Sequence, residues 1–242
     1  MMAAFDRLAE GYDSAWTDSA VGSAQREQVW RSLDRWIRPG DALLDIGCGT
    51  GADAAHFAQQ GARVHATDPS PEMIRIASRR GGFTTEVVAA QKLEGSYDHA
   101  ISNFGALNCV ADLPSVARRI GSLIRPGGRL AVCVIGRFCL WETLYYAARL
   151  DFAKARRRWR EGAVMTSLGI PIYYRSVAEL TSAFAPDFTC ERWTGIGFLT
   201  PPSYIRLPRG IVRLLAAADR LLAGLPVLRG LADHRLLILV RK

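Results

Sequence analysis

The chain has 242 residues, 49% hydrophobic and 22% charged, with five cysteines and a formal net charge of +8. This profile excludes a disordered, collagen-like or disulfide-stapled chain, and its length lets one domain bury roughly 70–75% of its unfolded surface. Residues 149–160 carry +5 and residues 206–242 carry +6, which leaves −3 on everything else. A slightly acidic body with two basic segments argues against a nucleic-acid partner.

The opening stretch, with Phe5, Tyr12, Trp16 and Trp30 among charges, reads as helical, so residues 1–40 form an N-terminal helical segment. It holds acids early and no apolar signal core, and no uncharged apolar run of 18 residues follows anywhere in the chain. The odd set Cys48, Cys109, Cys133, Cys139 and Cys190 contains no C-x-x-C pair, and the histidines are scattered. The expectation is therefore a cytoplasmic protein without a metal site.

From residue 42 onwards short β-rich runs alternate with helical ones. Strands are expected at 42–46, 62–67, 84–89, 99–103 and 129–135, with helices near 52–60, 70–80 and 112–124 between them. Such alternation predicts a mostly parallel sheet with helices on both faces. Pro126-Gly127-Gly128 reads as the turn that starts the fifth strand. About 40 residues rich in aromatics and arginine then interrupt the pattern. A helix at 176–185, a strand near 188–193, a second insertion and a last strand at 235–240 complete it.

Leu43-Leu44-Asp45-Ile46-Gly47-Cys48-Gly49-Thr50-Gly51 ends a strand and opens a helix. Its glycines let backbone approach a ligand closely, and with Ala52 they also satisfy a dinucleotide-binding pattern. Asp45 discriminates between the two ligand classes. A carboxylate there would repel a pyrophosphate, as in NAD, and suits a cationic ligand such as S-adenosylmethionine (SAM). Asp68, closing the second strand, can accept hydrogen bonds from both ribose hydroxyls.

With these features the sequence resembles the class I SAM-dependent methyltransferases, notably the branch of ubiquinone and menaquinone C-methyltransferases and natural-product methyltransferases. Phe5 to Tyr12-Asp13, Asp45 to Gly51, Asp68-Pro69-Ser70 with Glu72-Met73, Tyr97-Asp98, and Leu123 to Gly128 carry the resemblance. It implies an α/β, Rossmann-like fold with a seven-stranded, mostly parallel sheet. The corresponding organisation is a core over 41–136, a lid insertion over 137–175, and a C-terminal part over 176–242 with a second cap at about 196–230. The resemblance also implies that Gly47, Cys48, Gly49 and Gly51 follow the methionine moiety and that Asp45 faces its ammonium. Asp68 with Pro69 would hold the ribose, Met73 and the Ala90-Gln91 segment the adenine, and Asn103 and Phe104 would flank the methionine end. The acid that the family often carries after the third strand is absent; Gln91 stands there.

Methyl transfer chiefly requires alignment of the acceptor, so no catalytic residue is assigned from sequence. His56, His65 and His99 fall on core elements and read as packing residues, while His234 reads as a surface residue before the last strand. Trp141, Leu144, Tyr145, Ala148 and Phe152 make an apolar helical stripe. Tyr12, Trp141, Tyr145, Tyr146, Tyr173 and Tyr174 are taken as acceptor-binding candidates. The run Arg156-Arg157-Arg158-Trp159-Arg160 reads as a solvated face, a phosphate grip or a contact for an anionic membrane. A helix at 206–225 places Leu207, Ile211, Leu214, Leu215, Ala218, Leu221 and Leu222 opposite Arg206, Arg213 and Arg220, suited to a bilayer surface or to capping the domain. Thr200-Pro201-Pro202-Ser203-Tyr204 is similar to the N-P-P-Y motif of nucleic-acid amino methyltransferases but is misplaced in the chain, and reads as a rigid aromatic turn.

The leading expectation is a SAM-dependent methyltransferase acting at oxygen or carbon of a small, aromatic or lipophilic acceptor, anionic or held at a membrane. RNA methylation, an NAD-dependent oxidoreductase and a non-catalytic SAM-binding or membrane-associated protein are the alternatives.

Overall fold

The structure, a computed structural model, describes residues 2–205 and 207–242. Helices α1 (Met2–Tyr12) and α2 (Ala20–Leu33), joined by a π-helical turn, precede the sheet. Strands β1 (Ala42–Ile46), β2 (Arg63–Asp68), β3 (Thr84–Val87), β4 (Tyr97–Ser102) and β5 (Ile124–Ile135) alternate with α3 (Ala52–Gln59), α4 (Pro71–Arg80) and α5 (Leu113–Leu123). The segment 137–175 holds α6 (Leu140–Ala147), α7 (Phe152–Ala155) and a small hairpin of β6 (Ala163–Met165) and β7 (Pro171–Tyr173). Then follow α8 (Val177–Phe184), β8 (Phe188–Ile196), α9 (Arg209–Leu222) and β9 (His234–Arg241).

The main sheet has seven strands in the order β3-β2-β1-β4-β5-β9-β8, and β9 alone runs antiparallel to its neighbours. Alternating side chains build its two cores. Leu44, Leu130 and Val132 face Val116 and Ile120 of α5 and Phe184 of α8. Leu43, Ala131 and Ile238 face Val29 and Leu33 of α2 and Phe57 of α3. Each such large apolar side chain contributes about 1.5–3 kcal/mol by leaving water. Helix starts are capped where the sequence provides a short polar residue. Ser70, followed by Pro71, accepts from Met73 N, and Ser176 makes a capping box with Glu179.

Two elements differ from the sequence reading. Pro126-Gly127-Gly128 does not precede β5 but bulges within it, between the pairs Tyr97↔Ile124 and His99↔Arg129. Helix α9 begins after Pro208, and Arg206 lies outside the described residues. Its inward face is Val212 and Asp219, while Leu214 and Leu221 of the expected stripe are 73% and 82% exposed. A polar anchor turns the helix this way: Asp219 accepts hydrogen bonds from Leu199 N, Thr200 N and Thr200 Oγ1 at 2.6–2.9 Å.

Candidate active site

The glycine loop is fastened by Gly47 N and Cys48 N, which donate to the Thr67 carbonyl at 2.8 and 2.9 Å. Gly47 adopts φ +71°, and a Cβ there would stand 2.3 Å from Ala106 Cβ. Gly49, at φ +55°, faces open space instead. The loop thus needs glycine once for packing and once where backbone is bared to a ligand. Asp68, at the end of β2, is fixed by Gly49 N at 3.0 Å and Ser70 N at 2.9 Å. Burial pushes its carboxyl above the usual range, against these two hydrogen bonds.

Asp45 is 1% exposed, and its Oδ2 has no hydrogen-bond partner. Burial, then the neighbouring Asp53, push its carboxyl well above the ordinary range. Asn103, just past β4, leaves both amide atoms buried and unpartnered. Such orphaned groups are costly in a fold unless a ligand completes them. A cavity of about 240 Å³ lies here, walled among others by Gly47, Asp68, Pro69, Ala90 and Gln91. Phe5, Val88 and the turn Ala106–Cys109 complete much of the wall, and sequence reasoning had not assigned them to the site. Asp45, Cys48, Gly49, Gly51 and Asn103 are not part of this wall; Asp45 lies in β1 and the others in the loops that follow β1 and β4. Met73, 1% exposed, packs in the first turn of α4 and does not line the cavity.

Helix α1 roofs the cavity. Asp6 accepts from Ser70 Oγ at 2.5 Å, Asp13 accepts from Thr50 Oγ1 and Arg80 at 2.6 Å, and Glu10 pairs with Arg75. SAM fits these residues. An unpartnered buried carboxylate oxygen suits a positive charge, bared backbone at Gly49 admits close approach, and Asp68 lines the cavity with a carboxylate able to accept from a diol.

A second cavity, of about 440 Å³, has aromatic walls that include Tyr12, Trp16, Phe104, Tyr174 and Tyr204. Phe104 follows β4 with φ +53°, a strained backbone for a residue with a side chain. Its ring is held by Trp16 at 4.6 Å, His234 at 5.4 Å and the Arg26 guanidinium at 5.0 Å. Arg26 is in turn paired with Asp53 at 2.5 Å, and Trp30 Nε1 donates to the same carboxylate at 2.6 Å.

The charged wall of this cavity is one network. Glu142 of α6 receives both Arg157 and Arg158 at 2.8–3.0 Å, and Tyr204 Oη donates to it at 3.0 Å. Arg158 continues to Asp233 at 2.7 Å. Although burial opposes ionisation, the arginine hydrogen bonds hold Glu142 below the usual carboxylate range. Burial likewise opposes Asp233, and His234 with Arg158 brings it down. The arginine run is therefore neither a solvated face nor a phosphate grip at Arg157 and Arg158, because carboxylates from distant segments consume both.

Of the six acceptor candidates, the structure brings Tyr12 and Tyr174 to this cavity. The other four lie elsewhere. Trp141 Nε1 donates to the Leu199 carbonyl, and Tyr145 and Tyr146 pack on Tyr204 from outside the wall. Tyr173 offers its carbonyl to Asn108 and lies under Arg175. His234 is not a surface residue: it is 6% exposed, opens β9 between Ile135 and Ile196, and lines the cavity. The Thr200–Tyr204 turn also reaches it, through Pro202, Ser203 and Tyr204. His56, His65 and His99 are structural, bonded to Asp34, Tyr97 and Arg129 N.

Comparison with known proteins bears on the family and the fold. Residues 44–130 match a methyltransferase domain family. Demethylmenaquinone methyltransferase from Thermobifida fusca is 34% identical over 145 residues, covering 54% of this chain and 59% of that protein. The Clavibacter sepedonicus counterpart is 32% identical over 141 residues, covering 54% and 56%. The chain thus spans little more than half the length of these relatives. Among solved structures, 1,6-didemethyltoxoflavin-N1-methyltransferase from Burkholderia thailandensis, with its substrate and S-adenosylhomocysteine bound, superposes with TM-score 0.58 at 22% identity over 100% of this chain and 86% of that one. An S-adenosylmethionine-dependent methyltransferase from Mesorhizobium loti does so with TM-score 0.59 at 18% identity over 89% and 98%. These structural likenesses concern the fold.

Proposed function

We propose that the chain is a class I SAM-dependent methyltransferase that transfers a methyl group to oxygen or carbon of a small, aromatic or lipophilic acceptor. One observation carries the reading: the orphaned Asp45 Oδ2 and Asn103 amide lie beside a glycine loop with bared backbone, next to a second, aromatic cavity. SAM supplies an activated methyl group when bound. The chain's part is to place Asp45 toward its positive charge, Asp68 and Pro69 toward its ribose, and Ala90 and Gln91 toward its adenine. Gly47, Cys48, Gly49 and Gly51 would follow its methionine part, with Asn103 and Phe104 between donor and acceptor. Holding an acceptor at the right distance is worth about 7–11 kcal/mol of barrier.

Within the acceptor cavity Glu142 and Asp233 balance Arg157 and Arg158. This favours an uncharged aromatic acceptor over an anionic one. The same pairing removes the motive for an RNA substrate, and Asp45 disfavours a pyrophosphate cofactor. In this reading residues 1–40 roof the cofactor, residues 137–175 close the acceptor side, and residues 196–230 form a second cap. Among the described residues no helix is long and apolar enough to cross a membrane. Exposed Ile211, Leu214 and Leu221 beside Arg209, Arg213 and Arg220 support peripheral contact with an anionic bilayer.

Calorimetry with S-adenosylhomocysteine tests the cofactor reading: binding is expected, and Asp45→Ala and Asp68→Ala should each weaken it at least tenfold. Labelled SAM given to cell extract, with products identified by mass spectrometry, tests the transfer. Binding without any methylated product would leave a non-catalytic SAM-binding protein.

A further inference from the structure

Of the four histidines, three have ring nitrogens engaged in hydrogen bonds with protein groups. His234 does not. Its Nδ1 is buried without a hydrogen-bond partner, 3.4 Å from Oδ2 of Asp233, and the ring lines the acceptor cavity edge-on to Phe104. Asp233 is itself held from the far side by Arg158 through Oδ1 and has Gln25 beside it, with Oδ2 toward the imidazole. Nε2 makes no hydrogen bond among the described residues, so an imidazole with Nδ1 beside a carboxylate, Nε2 unengaged and an aromatic chamber around the ring has the arrangement of a general base acting through Nε2. The wall's other titratable groups are less suited: Tyr204 is spent on Glu142, burial pushes the Tyr12 and Tyr174 hydroxyls up so that both stay protonated, and Arg157 and Arg158 are permanently charged.

We propose that His234, backed by Asp233, is the catalytic base that takes the proton from a hydroxyl of the acceptor, which makes the acceptor a hydroxyaromatic molecule. This rests on the methyltransferase reading above. In the step, the acceptor O–H bond breaks and its electron pair stays on oxygen, while a new N–H bond forms on the imidazole. The imidazolium so made is balanced by Asp233 and later returns its proton to water. The resulting phenolate is nucleophilic at oxygen and at its ring carbons.

The surroundings suit the role. Burial, aided by Arg158 and Arg235, holds His234 below its ordinary value, while Asp233 opposes them. The ring is therefore neutral and able to accept a proton at pH 7. Acidification below about 6.5 charges it only once its lowered value is reached.

The probe is 4-nitrophenol, whose ionisation is read by its absorbance, added to protein saturated with S-adenosylhomocysteine. At a pH where the free phenol is mostly protonated, the bound probe should show a phenolate-to-phenol ratio about tenfold higher than in His234→Gln or His234→Asn. Affinity for S-adenosylhomocysteine should stay within about twofold in both variants. In 15N-labelled wild-type protein, probe binding should also shift one imidazole to the protonated form, which reads the transfer without any variant. Equal phenolate signals in all three proteins, no imidazole shift, or no binding of the probe would overturn the proposal. Loss of S-adenosylhomocysteine binding by the wild type would instead strike the methyltransferase reading itself.

Discussion

Arg26 of α2 and Asp53 of α3 form a 2.5 Å ion pair, both side chains under a tenth exposed, directly behind the acceptor cavity. Its guanidinium also lies 4.7 Å from the Trp16 ring and 5.0 Å from the Phe104 ring. One buried charge thus braces the aromatic wall and ties two helices. Removing one member of such a pair strands the other charge. Arg26→Ala is expected to cost about 3–5 kcal/mol in urea unfolding. A double change, Arg26→Met with Asp53→Leu, should recover much of that loss, which a simple packing role for Arg26 would not allow.

Asp45→Asn should separate stability from binding. The folded protein holds this carboxyl above its ordinary range, so the stability it contributes is present below that range and is lost as pH rises through the raised value. At neutral pH the asparagine variant should therefore melt higher, by about 2–4 °C for each kcal/mol regained. The rise in Tm that S-adenosylhomocysteine gives the wild type should shrink or vanish. A variant that melts lower and still responds fully to the ligand would contradict the assignment.

The two glycines of the loop should fail differently. Gly47→Ala drives a Cβ to 2.3 Å from Ala106 and should lower Tm markedly. Gly49→Ala meets nothing within 4 Å and should leave only the strain of its φ of +55°, about 1 kcal/mol. Its effect should appear as at least tenfold weaker S-adenosylhomocysteine binding by calorimetry.

Acid should unfold the acceptor side through Glu142. Against its burial, Arg157 and Arg158 hold it below the usual carboxylate range. Its stabilisation is complete above about pH 4.3 and is lost as pH falls through the depressed value. Glu142→Gln should lower Tm at pH 7 and flatten the dependence of Tm on pH in the acid range, followed by circular dichroism.

The bilayer contact is checked by sedimentation with phosphatidylglycerol vesicles. Leu214→Glu with Leu221→Glu, both at exposed positions, should cut binding severalfold without changing Tm by more than a degree or two. Binding that persists in the double variant would remove α9 as the contact.

The elements that carry the proposed cofactor half are legible in the sequence because their signals are local. A glycine loop at the end of one strand and an aspartate at the end of the next sit within 24 residues of each other, and the strand–helix rhythm places both at one sheet edge. The acceptor half depends on partners far apart in the chain. Arg158 looked like part of a basic surface run until Glu142 and Asp233, 75 residues on, were seen around it. His234 reads as exposed at a strand start because nothing nearby in sequence announces that Phe104 packs on its ring or that Ile135 and Ile196 flank it. In α9 the leucine pattern left capping and a bilayer contact both open, and the three hydrogen bonds to Asp219 turn Leu214 and Leu221 outward.

The roof and the far wall of the site are fastened by different physics. Besides the Asp6–Ser70 hydrogen bond, helix α1 and the π-helical turn after it are held by Glu10–Arg75 and Asp13–Arg80, pairs at the rim that salt screens and that side-chain entropy weakens. The Glu142–Arg158–Asp233 bonds are sealed from water and form with the fold itself. On the proposed reading, the donor side is the part of the site whose order salt can loosen, while the proposed acceptor chamber has a shape settled when the chain folded.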